Sequence, residues 1–150
     1  MSTDTDLIKL YSQRILALAA DMPRTQRLEA PSATVKRRSP LCGSAVTVDM
    51  VIAGDIVEDF AQEVKACALG QAAASVVGQA IVGCTQAQVI AARDELKAML
   101  THQGPAPQAP FDGLEVLQPA AEYKNRHASV LLALEASVDA FAEAKLKTSA

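Results

Sequence analysis

The chain has 150 residues, 50% of them hydrophobic and 21% charged, which is enough for one domain with its own core. A formal net charge of -3, with only two tyrosines and three phenylalanines, argues against a nucleic-acid partner, which needs cations for phosphates and rings for bases. The opening M-S-T-D-T-D-L-I-K-L lacks the basic-then-apolar order of a secretory signal, and no apolar run approaches bilayer length, so a cytoplasmic protein without a membrane partner is expected.

Along the chain, Leu7, Leu10, Tyr11, Ile15, Leu16 and Leu18 recur at the three-and-four spacing of an amphipathic helix from about Asp6 to Ala20, ended by Met22-Pro23. A polar loop with Pro31 and the basic run Lys36-Arg37-Arg38 is expected next, leading into S-P-L-C-G-S. Val46, Val48, Met50 and Ile52 then alternate with Thr47, Asp49 and Val51, the period of a half-buried strand. Gly54-Asp55 makes a turn into a hairpin partner over Ile56 to Ala66, which delivers Cys67 at a strand end.

From Ala68 to about Val82 the Ala-rich sequence with two glycines predicts a buried helix that neighbours approach closely. Thr85 and Gln88 have capping-box spacing, and Val89, Ala92, Leu96, Met99 and Leu100 form the apolar stripe of a helix to about Thr101. G-P-A-P-Q-A-P breaks it, and residues 103–118 read as an insertion loop, with irregular structure over Phe111 to Leu117. A last helix begins near Asn125, with Val130, Leu134, Val138 and Phe141 on one face.

Three cysteines, Cys42, Cys67 and Cys84, are an odd set for a disulfide framework and suggest thiol or metal chemistry. Cys67 would meet the unsatisfied N–H groups and positive dipole end of its helix, which favour thiolate, although a small core residue in an Ala-rich stretch is the competing reading. Cys42 has Pro40 to hold an extended approach, Gly43 to let the backbone come close to a ligand, and Ser44 as an additional oxygen. The basic run beside it is read chiefly as a solvated charge run that would also favour thiolate or meet an acidic partner. Cys84, between two helices, is expected to be structural, and nothing local recommends Asp55, Asp112 or His102.

Several stretches together resemble the NifU N-terminal, IscU and SufU family. L-Y-S-Q-R-I-L-A-L-A-A-D-M-P-R is similar to the family's L-Y-x-x-V-I-x-D-H-x-x-x-P-R, and S-P-L-C-G-S to its N-P-x-C-G-D. I-V-E-D-F-A-Q-E-V-K-A-C resembles the strand that ends in G-C, A-A-A-S at 72–75 resembles the small-residue helix after it, and the 25-residue spacing of Cys42 and Cys67 fits. G-P-A-P-Q-A-P-F-D-G-L-E-V-L-Q-P takes the place of an insertion typical of the SufU branch.

The resemblance implies an α+β fold, a three-stranded, mostly antiparallel sheet with helices packed on one face and a helix at the N-terminus. It implies one domain over 1–150, and a scaffold or carrier that accepts sulphur and iron and passes a labile iron-sulphur cluster to apo-proteins. The runner-up is a zinc-supported sulphur acceptor for a cysteine desulfurase, and a degenerate relative acting as adaptor is the third reading. Cys42 and Cys67 match the first two cysteine ligands, Ser44 replaces an aspartate, and Ala128 stands where a third cysteine belongs. His127, beside it, matches a histidine of IscU proteins. The implied inner shell is Cys42, Cys67 and His127, with Ser44 or water as a poor fourth. A 2Fe-2S cluster on that shell would need Ser44, an exogenous thiol or a homodimer's second chain.

Overall fold

The computed structural model describes residues 12–40 and 43–148. Helix α1 spans Gln13–Ala20, capped by the Ser12 hydroxyl on the Ile15 N–H, and buries Ile15. The part of the expected first helix before Ser12 lies outside the described residues, as does Cys42. Three strands follow, β1 (Ala33–Arg38), β2 (Ala45–Ala53) and β3 (Ile56–Lys65), in an antiparallel sheet of order β1-β2-β3. The helices after them are α2 (Ala68–Ala80), α3 (Gln86–His102) and α4 (His127–Thr148), with 3-10 turns at Asp112–Glu122 and Lys124–Arg126 before α4.

Strand β1 corrects the expected polar loop. Its alternation is Ala33, Val35 and Arg37 on one face and Thr34, Lys36 and Arg38 on the other, and the three consecutive cations Lys36, Arg37 and Arg38 mask that period. Val35 pairs with Val48 and Arg37 with Val46, so Arg37 lies on the same face as the core residues of β2. It is neutralised there by Asp139 of α4 at 2.7 Å.

Ala33, Val46, Val48, Met50 and Phe60 form the apolar face of the sheet and are all nearly inaccessible. Helix α4 packs over β1 and β2, and α2 over β3, giving the expected α+β layering. The opposite face carries the completely buried Asp49 side chain. Arg27 grips it at 2.6 and 3.0 Å, Thr34 Oγ1 donates to it at 2.7 Å and the Leu28 N–H at 3.1 Å. This clamp fixes the segment between α1 and β1 across the sheet.

Helix α2 lies under α1 and beside α4, and its alanines make that possible: Ala72, Ala73 and Ala74 are all buried. Gly70 admits Ser129 so closely that a Cβ there would run into the Ser129 hydroxyl and Ala66. The Thr85–Gln88 capping box is present, and the stripe Val89, Ala92, Leu96, Met99 and Leu100 is the buried face of α3. The 103–118 segment is not a loop throughout. From Asp112 it winds as 3-10 helix, because Phe111, Leu114, Leu117 and Ala120 bury their side chains at a spacing of three. Among the described residues no helix is long and apolar enough to cross a membrane.

Candidate functional site

Three chain segments end at one place. Strand β3 delivers Cys67, whose extended backbone (φ -66, ψ 170) makes it the N-cap of α2. The loop before β2 delivers Ser44; its two ends are tied by the Ser39 N–H on the Ser44 carbonyl at 2.8 Å and the Gly43 N–H on the Ser39 carbonyl at 3.1 Å. Gly43 takes φ +70, a left-handed conformation that suits glycine. Helix α4 delivers Ser129 from its first turn.

The three side chains meet. Cys67 Sγ stands 3.5 Å from Ser129 Oγ, which stands 3.2 Å from Ser44 Oγ. Both serines are almost fully buried, at 2% and 3% exposure, whereas Cys67 is only half-buried and reachable from outside. The sulphur makes no capping hydrogen bond of ordinary geometry. Burial pushes its thiol up, but the Ser129 hydroxyl, the Gly70 and Leu69 N–H groups and the charge of Arg126 together outweigh burial, so the thiol sits below its ordinary value. Cys84 is the opposite case: buried, donating to the Ala80 carbonyl at 3.3 Å, with its thiol pushed up by burial.

His127 is held through one ring nitrogen. Its Nε2 lies 3.1 Å from the Ala120 carbonyl and 3.0 Å from the Ala121 carbonyl, and carbonyls only accept, so Nε2 carries a proton. That nitrogen is tied to the 3-10 turn, and the ring lines a groove with Leu100, Gln103 and Lys124. The structure thus brings Ser44 to Cys67 but leaves His127 Nε2 outside the cluster, and Cys42 lies outside the described residues.

The residue that α4 aligns with Cys67 is Ser129, not Ala128. A signal for this register exists in the sequence. Ser129, Ala133, Ala136 and Ala140 recur at helical spacing as a small-residue stripe, all buried, whereas Ala128 is in line with the half-exposed Glu135 and Asp139. A group meant to meet Cys67 across a close helix contact has to stand on the first stripe.

Two grooves among the described residues lie away from this site. One runs from Arg14 and Leu18 to Val76 and Gly113, the other from Met99 and Gln103 to Pro119 and Tyr123, and neither is lined by Cys67, Ser44 or Ser129. Among the described residues the site is thus a half-exposed thiol beside two buried hydroxyls.

An α+β sandwich with a polarised cysteine at the sheet-to-helix junction, under the first turn of the last helix, defines a domain that presents a thiol at its surface. The NifU-like N terminal domain model matches residues 10–130, and the chain belongs to that family. It is similar to the crystal structure of a nitrogen-fixing NifU-like protein (N-terminal) from Brucella abortus, with 42% identity, TM-score 0.92, and coverage of 95% of this chain and 99% of that one. It is 36% identical over 83 residues to the zinc-dependent sulfurtransferase SufU of Bacillus subtilis, a match over 55% of this chain and 56% of that protein, so it spans little more than half that relative's length. A candidate iron-sulphur cluster assembly scaffold for the SUF system from Fervidobacterium islandicum shares the fold, at TM-score 0.80 and 20% identity over 89% of this chain and 98% of that one.

Proposed function

We propose that this chain, acting as one domain in the cytoplasm, is a scaffold or carrier in iron-sulphur cluster assembly. It receives sulphur from a cysteine desulfurase, gathers iron, and passes a labile cluster to apo iron-sulphur proteins. The observation that carries this reading is the half-exposed Cys67 thiol, biased toward thiolate, at the junction where Ser44 and Ser129 converge. Family membership supplies the pathway.

Cys42 and Cys67 are the cargo-bearing thiols, and the serine hydroxyls are weak supporting donors. Two thiolates hold a cluster loosely, so the remaining ligands come from a second copy of the chain or an exogenous thiol. The test is anaerobic reconstitution with ferrous iron and sulphide. A labile visible chromophore should form, move to an added apo-protein, be lost in Cys67→Ser and survive in Cys84→Ser. A chromophore that persists undiminished in Cys67→Ser would contradict the reading.

The lowered Cys67 thiol favours a second reading, direct sulphur acceptance. The Cys67 thiolate attacks the outer sulphur of the desulfurase persulfide, the donor's S–S bond breaks, and the donor cysteine leaves as thiolate while Cys67 becomes the persulfide. This step can precede cluster assembly, and it would speed desulfurase turnover even where no cluster forms.

A further inference from the structure

The two edges of the sheet differ. Along β3 the chain covers its own edge: the Gln62 N–H donates to the Arg24 carbonyl at 2.9 Å, the Val57 N–H to the Cys84 carbonyl at 2.9 Å and the Gly83 N–H to the Val57 carbonyl at 2.8 Å, and Ile56 bridges Thr85. Strand β1 pairs with β2 alone. The Ser39 N–H on the Ser44 carbonyl fixes which of its groups face β2, so by the two-residue period the N–H and C=O groups of Thr34, Lys36 and Arg38 face away from it. Among the described residues nothing hydrogen-bonds to those groups. Unpaired edge groups of this kind are a template for another strand.

The basic run on β1 is divided by the same period. Arg37, on the helix side, is paired with Asp139 at 2.7 Å and faces Glu135 at 3.8 Å. Lys36 and Arg38, on the opposite face, are exposed and make no ion pair among the described residues. Two acids lie on that face in register with β1. Asp49 is held by Arg27, and Glu63 stands two strands from Lys36, about 10 Å away. The open edge therefore carries two unneutralised cations in a chain whose net charge is -3.

We propose that the β1 edge docks an extended segment of another protein, added to the sheet as a fourth strand, in which acidic residues alternate with apolar ones. The acids face Lys36 and Arg38, and the apolar residues lie on the helix side beside the half-buried Val35. Cations on an edge discourage pairing with neutral or basic strands, and an acidic strand is the pairing they leave open. A second copy's β1 fits poorly, because two-fold antiparallel pairing would set the cations of the two strands against each other. The guest runs along the edge to Arg38, which is in register with Ala45 and through it with Lys65, two residues before Cys67, so its end lies at the thiol end of the sheet. The surface is separate from the thiol and does not depend on what the thiol carries.

The probe is a blocked hexapeptide of alternating Glu and Val, titrated into the full chain and followed by backbone amide NMR. Saturable binding is expected, with slowed hydrogen exchange at the Thr34, Lys36 and Arg38 N–H groups. Lys36→Gln/Arg38→Gln should weaken it about 2–30-fold, the worth of two exposed ion pairs, and flatten its salt dependence. Two further peptides carry N-methyl groups on the Glu residues or on the Val residues, and the one blocked on the side that faces β1 should lose binding. Lys36→Pro removes an outward N–H where an edge strand tolerates proline, and should weaken binding beyond Lys36→Gln. Should that variant fail to fold, the N-methylated peptides decide the same point. No saturable binding up to about 1 mM, the weak end of recognition, would overturn the proposal. So would undiminished binding of both N-methylated peptides, which would mean charge attraction without strand pairing, or equal binding of a single-stranded oligonucleotide of the same charge, which would mean a general anion surface.

Discussion

Cys67 Sγ and Ser129 Oγ, 62 positions apart in sequence, stand 3.5 Å apart where the N-termini of α2 and α4 converge. Both helices turn the positive ends of their dipoles and unsatisfied N–H groups toward this point. Ser129 is thus a positioning residue for the thiol. Ser129→Ala should raise the Cys67 thiol toward its ordinary value, since the lowering hydroxyl is gone while burial remains. Alkylation of Cys67 by iodoacetamide at a fixed pH near neutrality should slow, and its pH profile should move to higher pH. Ser129→Thr, which keeps the hydroxyl, should restore the profile, and Cys84 should stay slow throughout.

Gly70 keeps that contact possible. Gly70→Ala would ordinarily strengthen a helix by about 1 kcal/mol. Here its Cβ would collide with the Ser129 hydroxyl and Ala66, so we expect a net loss of about 1–3 kcal/mol, read from chemical denaturation, together with altered Cys67 reactivity. A stabilised variant with unchanged reactivity would show that the two helices are not tightly coupled.

Asp49 should set the acid limit of the fold. Burial raises its carboxyl, but Arg27, Thr34 and the Leu28 N–H outweigh that and hold it below the ordinary carboxylate range. The sign follows from linkage: with the folded value depressed, the stabilisation is complete above the unfolded value, about 3.9, and is lost as pH falls from there through the folded value. Asp49→Asn should cost about 1–3 kcal/mol at neutral pH and flatten the loss of stability in acid, measured by denaturation at a series of pH values.

Thr85 provides the control for stability without chemistry. Its hydroxyl accepts from the Gln88 N–H at 3.2 Å and the Gln88 side chain accepts from its N–H at 2.8 Å. Thr85→Ala should cost about 0.5–2 kcal/mol and leave Cys67 alkylation unchanged.

Local signals made much of this architecture legible. The period-two run Val46 to Ile52, the Gly54 turn, the capping box and the Ala-rich α2 are all decided within a dozen residues, and they place Cys67 at its junction. Strand β1 was masked because its inward-facing residue nearest the site is a cation whose partner, Asp139, lies 102 positions away. The 3-10 segment was masked by Pro119 and by a spacing of three that short windows do not separate from loop. At the site, the thiol was readable from its helix-capping context. The serine opposite depends on the rotation of α4, where one residue's difference moves a side chain by about 100°, from the Glu135 and Asp139 side to the Cys67 side.

The most direct measurement of the account is where the first sulphur lands. The chain, Cys67→Ser and Cys84→Ser are each mixed with a cysteine desulfurase and cysteine under anaerobic conditions, trapped with an alkylating agent and mapped by peptide mass spectrometry. The account predicts an added sulphur atom on the wild type and on Cys84→Ser, and its loss or severe reduction in Cys67→Ser. Full loading of Cys67→Ser, or loading on Cys84, would contradict the assignment of the polarised thiol under Ser129 as the working group of this protein.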